Sequence, residues 1–206
     1  MIAVLTGDII GSRKAFSTEE WMLPLRELLN RFGASPEQWE IYRGDSFQLE
    51  ITDPKAALEA AILIKSTIKK VKNMDVRIAI GIGEKTFRAE TITASNGSAF
   101  VHSGDCFEQL REEKRSLAIK TGNEETDEEL NTLILLGLAL MDRWTPSMAD
   151  LVSASLHHPE QSQQETADFL NVRQSTVSAG LKRAHFSLIR ELNQLYRKKI
   201  SAIFKI

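Results

Sequence analysis

A single cysteine, Cys106, stands among 206 residues, which excludes an internal disulfide and a cysteine-based zinc site. Long apolar runs are missing as well. The longest, Leu133 to Met141, is about half of the roughly 20 residues that a bilayer-spanning helix requires, so no membrane partner is expected. Met1-Ile2-Ala3 has neither the basic nor the apolar region of a signal peptide, and a cytoplasmic protein is predicted. A strong charge excess is also lacking, since the net charge is −2 with 42% apolar and 26% charged residues, ordinary values for a soluble globular chain. The charge is unevenly spread, however. Residues 1–156 carry 18 Lys and Arg against 24 Asp and Glu, whereas residues 157–206 carry 8 against 4. Only the tail is basic, which suits either a polyanion partner or a solvated face.

The first fourteen residues, MIAVLTGDIIGSRK, begin with apolar Ile2 to Leu5 and pass through Thr6-Gly7-Asp8 to Ile9-Ile10, Gly11-Ser12 and Arg13-Lys14. This pattern predicts a buried strand that delivers a carboxylate and then a turn of phosphate size. The alternating runs Trp39, Ile41 and Phe47, Leu49, Ile51 are joined by Arg43-Gly44-Asp45-Ser46, which puts a second carboxylate at a hairpin tip. If the two strands are neighbours, Asp8 and Asp45 converge. Two carboxylates beside backbone amides suit a divalent cation and a polyphosphate, with Arg13 or Lys14 balancing the remaining phosphate charge. The other reading of the same residues is that Asp8 caps a turn and Gly44-Asp45 only marks a hairpin.

Farther along, Ser17 and Glu20 form an expected capping box for a helix bearing Leu25, Leu28, Leu29 and Phe32, closed by Gly33. Asp53-Pro54 opens a second helix, Asp75 to Ile82 alternates as a strand, residues 91–93 suggest a short strand, Phe100, Phe107 and Leu110 suit a helix, and Leu117 to Ile119 an edge strand. The order predicts an α+β sandwich over residues 1–122 with helices on one face. Residues 123–129 lie in the acidic stretch KTGNEETDEE and are expected to be a linker, with Thr126 and Glu129 as a capping box. Residues 130–206 then form a helical domain. Its first helix, to Trp144, is apolar on nearly every side, so it must be buried by the other tail helices or by a second subunit.

TGDIIGS resembles the first-strand motif of class III nucleotidyl cyclases, RGDSF their hairpin or a relaxed GGDEF signature of diguanylate cyclases, and VRIAIGIGE at 76–84 the cyclase strand ending in a glycine pair. The resemblance covers about residues 1–122. It implies a ferredoxin-like palm, with Asp8 and Asp45 as ligands of Mg²⁺ or Mn²⁺ and Ile9, Ile10, Gly11 and Ser12 as the phosphate turn of a nucleotide. It also implies that the chemistry is lost. The asparagine and arginine that cyclases supply from the following helix correspond to Val101 and Asp105 in GSAFVHSGDCFEQL, and neither can donate to a developing phosphorane charge. Ser46 stands where GGDEF has its acidic residue. A palm of this kind with a helical tail behind it is similar to the SatD-like family of bacterial proteins.

In the tail, Ser162-Gln163-Gln164-Glu165 is a capping box followed by TADFLNVRQSTVSAGLKRA, which fits a helix-turn-helix over residues 162–186. Ala167 permits close crossing, Leu170 and Val172 fill the space beneath, Asn171 is the left-handed residue ending the first helix, and Val177 and Leu181 anchor the second. The stretch resembles the promoter-reading helix-turn-helix of sigma factors. In that motif Gln174, Ser175, Thr176 and Ser178 face base edges, and Arg173, Lys182 and Arg183 contact phosphates. Gly180 reads as a flaw, costing about 1 kcal/mol relative to Ala inside a helix. His157, His158 and His185 read as structural, and His102 as a base-contact candidate.

Three functions are compatible with these residues. One is a regulator that binds double-stranded DNA, with a non-catalytic palm that senses a nucleotide or other phosphorylated ligand or serves to dimerise. The second is an active metal-dependent nucleotidyl cyclase or transferase with a nucleic-acid-binding tail, and the third a protein-pairing scaffold. Agreement of the helix-turn-helix positions favours the first, with a homodimer expected.

Overall fold

Residues 1–14 and 16–205 are described by a computed structural model; the side chain of Lys14, an expected phosphate contact, lies outside what it describes. Alternating apolar residues build five strands, β1 (Ile2–Ile10), β2 (Trp39–Tyr42), β3 (Ser46–Ile51), β4 (Asp75–Gly83) and β5 (Leu117–Lys120). They form one mixed sheet in the order β2-β3-β1-β4-β5. The central β1 is antiparallel to both β3 and β4, β2 and β3 form the hairpin, and β5 lies parallel to β4. Eight α-helices accompany the sheet among the described residues: α1 (Glu19–Leu29), α2 (Ala57–Lys69), α3 (Ser98–Glu113), α4 (Glu124–Met141), α5 (Pro146–His157), α6 (Gln163–Phe169), α7 (Gln174–Arg183) and α8 (Phe186–Phe204). Among the described residues, no helix is long and apolar enough to cross a membrane. The α+β class expected from the pattern is therefore observed.

The sheet is covered on both faces, not one. Ala3, Leu5, Ile9, Ile78 and Ile80 share the main core with α1 and α2, whereas Val4 packs on Ala99 and Phe100 and Ala79 on Cys106 and Leu110, all of α3. The reason is visible in β4. A Cβ at Gly81 would lie 2.2 Å from the Ala99 carbonyl oxygen and the Ser103 nitrogen, so only glycine lets α3 come this close. Residues 91–93, expected as a strand, belong instead to a 3₁₀ turn over Ile92–Ala94. The edge strand β5 is blunted by Asn131, whose Oδ1 accepts from the Ile119 amide and whose Nδ2 donates to the Ile119 carbonyl, both at 2.8 Å.

Local chemistry departs from expectation at two helix starts. Ser17 accepts from the Glu19 amide but Thr18 is the N-cap of α1, with no side-chain cap bond and no capping box. The acidic linker expected at 123–129 is instead the first turns of α4: Asn123 caps it by accepting from Thr126 N, and Glu124, Glu125 and Asp127 occupy the helix start, where the macrodipole favours carboxylates. By contrast, Ser162 and Glu165 form the full reciprocal box expected, and Thr145 caps α5 ahead of Pro146.

The apolar core does not stop at residue 122. One buried cluster runs from Leu5, Phe47 and Ile64 through Leu130 and Ile134 of α4 and Val152 of α5 to Ile189 and Tyr196 of α8. Polar ties cross the same boundary. Lys65, 1% exposed, reaches Asp75 at 2.7 Å and Asp142 at 2.8 Å; Lys69 reaches Asp75 at 3.1 Å and the Asp142 carbonyl at 3.0 Å. Tyr196 donates from its hydroxyl to the Pro54 carbonyl at 2.6 Å. Helix α4 is nevertheless not fully buried, because Leu135 stays 45% exposed and Leu136 64% exposed, the latter on one surface with exposed Leu188 and Leu195 of α8.

Candidate functional site

Two constellations carry chemistry. In the first, Asp8 lies within β1, with Ser46 of β3 and Arg77 of β4 as its cross-strand partners. Antiparallel partners share a face, so Tyr42, Ser46, Asp8 and Arg77 form one row and Glu40, Gln48, Thr6 and Ala79 the next. Helix α3 covers the Ala79 side, leaving a polar strip over β2, β3 and β1. Gln48 Nε2 donates to Thr6 Oγ1 at 3.4 Å, and Thr6 donates to Ser103 at 3.0 Å.

The hairpin tip stands against the end of β1, because Ile9 N donates to the Asp45 carbonyl at 3.0 Å. Asp8 and Asp45 therefore stand at the same end of β1, where the Asp45 carboxylate acts on that of Asp8. The expected phosphate turn differs. Ile9 and Ile10 are still strand, Ile9 is buried and its amide is spent on Asp45, so the turn starts only at Gly11, with Ser12 and Arg13 in a 3₁₀ segment. Ser12 Oγ donates to Asp45 Oδ2 at 2.7 Å, and Arg13 is exposed.

Sequence reasoning missed the cations here. Arg77 Nη1 donates to both Asp8 oxygens, at 3.3 and 3.1 Å. Burial pushes the Asp8 carboxyl above its usual range; the Arg77 guanidinium pulls it back, the Asp45 carboxylate raises it further and Arg111 of α3 lowers it. The α3 residue acting on Asp8 is thus Arg111, not position 105. Asp105 is exposed and pairs with Lys120 at 2.8 Å, which holds its carboxyl below the usual range, and Val101 is exposed. The oxygens of Asp8, Asp45 and Ser12 suit a hard cation, but Arg77 already neutralises Asp8, so a cation would have to displace it. Among the described residues no cluster of three or more His, Cys, Asp and Glu could hold a metal. Nearby, His102 Nδ1 lies 2.7 Å from the Ile82 carbonyl. Burial raises the Cys106 thiol to about 12, which leaves it unreactive at neutral pH.

The second constellation is α6, α7 and the turn between them. Asn171 adopts the left-handed conformation expected of it, with φ 53°. Ala167 and Val177 are buried with Leu151 of α5, and Leu170 and Leu181 pack around them. Val172 does not fill the space beneath as expected: it is 41% exposed, and its contribution is an amide that donates to the Ala167 carbonyl at 2.9 Å. Gly180 is no flaw. A Cβ there would stand 2.1 Å from Leu151 Cδ1, so Gly180 lies where α7 meets α5, and a larger residue would make the end of the Leu151 side chain turn aside. The end of the pair is pinned by Trp144, whose Nε1 donates to the Ala184 carbonyl at 2.9 Å. Arg173, Gln174, Ser175, Thr176, Ser178, Lys182 and Arg183 are all exposed, and Gln174 Nε2 donates to Gln163 Oε1 at 3.0 Å.

No curated protein and no solved structure matches the chain significantly. A family profile described as the SatD family matches residues 1–203. Both the sheet and the helical tail fall within that match, and the chain belongs to the SatD family.

Proposed function

We propose that the protein is a DNA-binding transcriptional regulator in which α6 and α7 act as a helix-turn-helix and the sheet layer is a non-catalytic cyclase-like palm. The observation that carries this reading is the sorting of α7: Val177 and Gly180 face the core, while Gln174, Ser175, Thr176, Ser178, Lys182 and Arg183 face solvent. Gln174, Ser175 and Thr176 leave its N-terminal turn exposed, and this is the end that such a helix presents to base edges in the major groove. Gln174 could pair with adenine N6 and N7 through its amide, and Arg173, Lys182 and Arg183 could contact phosphates.

The β-α-β-β-α-β order with strands arranged 2-3-1-4 supports the ferredoxin-like palm. Two carboxylates with Arg77 and Arg111 beside them support a phosphorylated ligand, alone or with Mg²⁺ or Mn²⁺. The exposed leucines of α4 and α8 support a homodimer. Selection of duplexes from a random pool by the full chain at low salt tests the reading, and failure to enrich any sequence would remove it.

The convergence of Asp8 and Asp45 favours a second reading, an active nucleotidyl cyclase or transferase. Val101 and Asp105 speak against it, since losing even one transition-state donor costs on the order of 10²-fold. Cyclic product from ATP or GTP that disappears in Asp8→Ala would establish the second reading instead.

A further inference from the structure

A partly enclosed cavity of about 290 Å³ lies where α2 meets α5, α6, α7 and α8. Its apolar wall is formed by Ile62, Leu156, Leu181, Phe186 and Ile189. Its polar wall is formed by Glu59 of α2 with Arg190, Asn193 and Arg197 of α8, whose i, i+3, i+7 spacing puts them on one helix face. Asn193 is only 9% exposed. Its Nδ2 donates to Glu59 Oε2 at 2.7 Å, while its buried Oδ1 accepts from no group among the described residues. Native interiors seldom leave such an oxygen unmet. Among the described residues neither arginine pairs with a carboxylate; Arg197 reaches only the Lys55 carbonyl, at 3.5 Å.

The cavity therefore offers three separate kinds of contact: an acceptor, the Glu59 carboxylate held by Asn193 Nδ2; two guanidiniums; and an apolar wall. We infer that it binds a free α-amino acid with an apolar side chain. The α-ammonium would give its protons to Glu59, which Asn193 holds in place, the α-carboxylate would accept from Arg190 and Arg197, and the side chain would lie against Ile62, Phe186 and Ile189. The volume stands at the small end of ligand pockets, which run from about 300 Å³ upward, and matches a single amino acid better than a nucleotide. Gln163 of α6 also lines the cavity and holds Gln174, so occupancy would reach the DNA-facing helix. That consequence rests on the DNA reading; the binding itself does not.

The test is thermal denaturation of the full chain, without DNA, in the presence of L-leucine, L-isoleucine, L-methionine or L-phenylalanine. At least one should raise the melting temperature in a concentration-dependent way, as a ligand of the folded state must. 4-Methylpentanoate, which lacks the ammonium, and 3-methylbutylamine, which lacks the carboxylate, should each bind about tenfold more weakly or worse than leucine, given the strength of charge-assisted hydrogen bonds. The doubly substituted Arg190→Gln, Arg197→Gln protein should lose the effect, and Asp8→Asn should keep it. The inference is overturned if none of the four amino acids shifts the transition at concentrations up to about 10 mM. It is overturned equally if both truncated analogues match leucine on the wild-type protein, or if the double variant responds like wild type. Loss of DNA binding with amino-acid binding intact would count only against the DNA reading.

Discussion

Asp8 is a partly buried carboxylate whose titration is set by the groups that β3, β4 and α3 bring to it. TGD after an apolar run marks a carboxylate at a strand end, but Arg77 sits in a stretch that reads only as alternating apolar residues, and it meets Asp8 once β1 and β4 pair antiparallel. The consequence is measurable. Burial is the largest influence on the Asp8 carboxyl and raises its pKa, and a carboxyl raised in the folded state contributes stability that is fully present below its unfolded value and lost as pH rises through the folded one. Asp8→Asn cannot titrate. The stability of wild type minus that of this variant should therefore increase as pH falls from 7 towards about 4, read from urea transitions at each pH. A difference that shrinks on acidification would mean that Arg77 and Arg111, not burial, dominate. Divalent cation, if the site takes one, should bind more weakly over the same descent, because its ligands must be deprotonated.

At the scale of elements, strands and most helices followed their periodicity, and the errors came where two physical causes give the same composition. A run of Glu and Asp reads as a linker by charge, yet a helix start favours the same residues, and Asn123 with Glu124 and Glu125 used them that way. Gly180 reads as a helix defect by propensity, yet it is a crossing point, and only the packing of Leu151 distinguishes the two. Gly180→Ala should therefore gain less than the ~1 kcal/mol that helix propensity offers, because the end of Leu151 must leave its rotamer to make room. The same substitution should gain more in a Leu151→Ala background, a coupling that a double-mutant cycle in urea reads directly. Additive effects would show that the two residues do not meet. Periodicity also could not say which face of the sheet α3 covers, since Gly81 and Gly83 alternate as cleanly as any apolar pair.

For the whole molecule, the sheet and the tail share a core, so the two should unfold together. Lys65 is the sharpest test of that union. Lys65→Met leaves Asp142 without its lysine, while Lys69 still holds Asp75. Breaking a fully buried pair costs roughly 3 to 5 kcal/mol; with Asp142 half exposed the loss should be nearer about 2 kcal/mol. It should appear as one cooperative transition shifted to lower urea. Two separate transitions would show that the tail folds independently of the sheet.

The central claim, that α7 reads DNA, is tested most directly by fluorescence anisotropy of a selected and a random duplex against salt concentration, for wild type, Lys182→Ala and Gln174→Ala. Wild type should bind both duplexes at low salt and prefer the selected one. Lys182→Ala should weaken both and lower the salt slope by about one unit, because each phosphate contact releases close to one counterion. Gln174→Ala should cost about 1 to 3 kcal/mol on the selected duplex and leave the random one nearly unchanged. No binding to any duplex at low salt, or equal losses for both variants on every sequence, would contradict the claim.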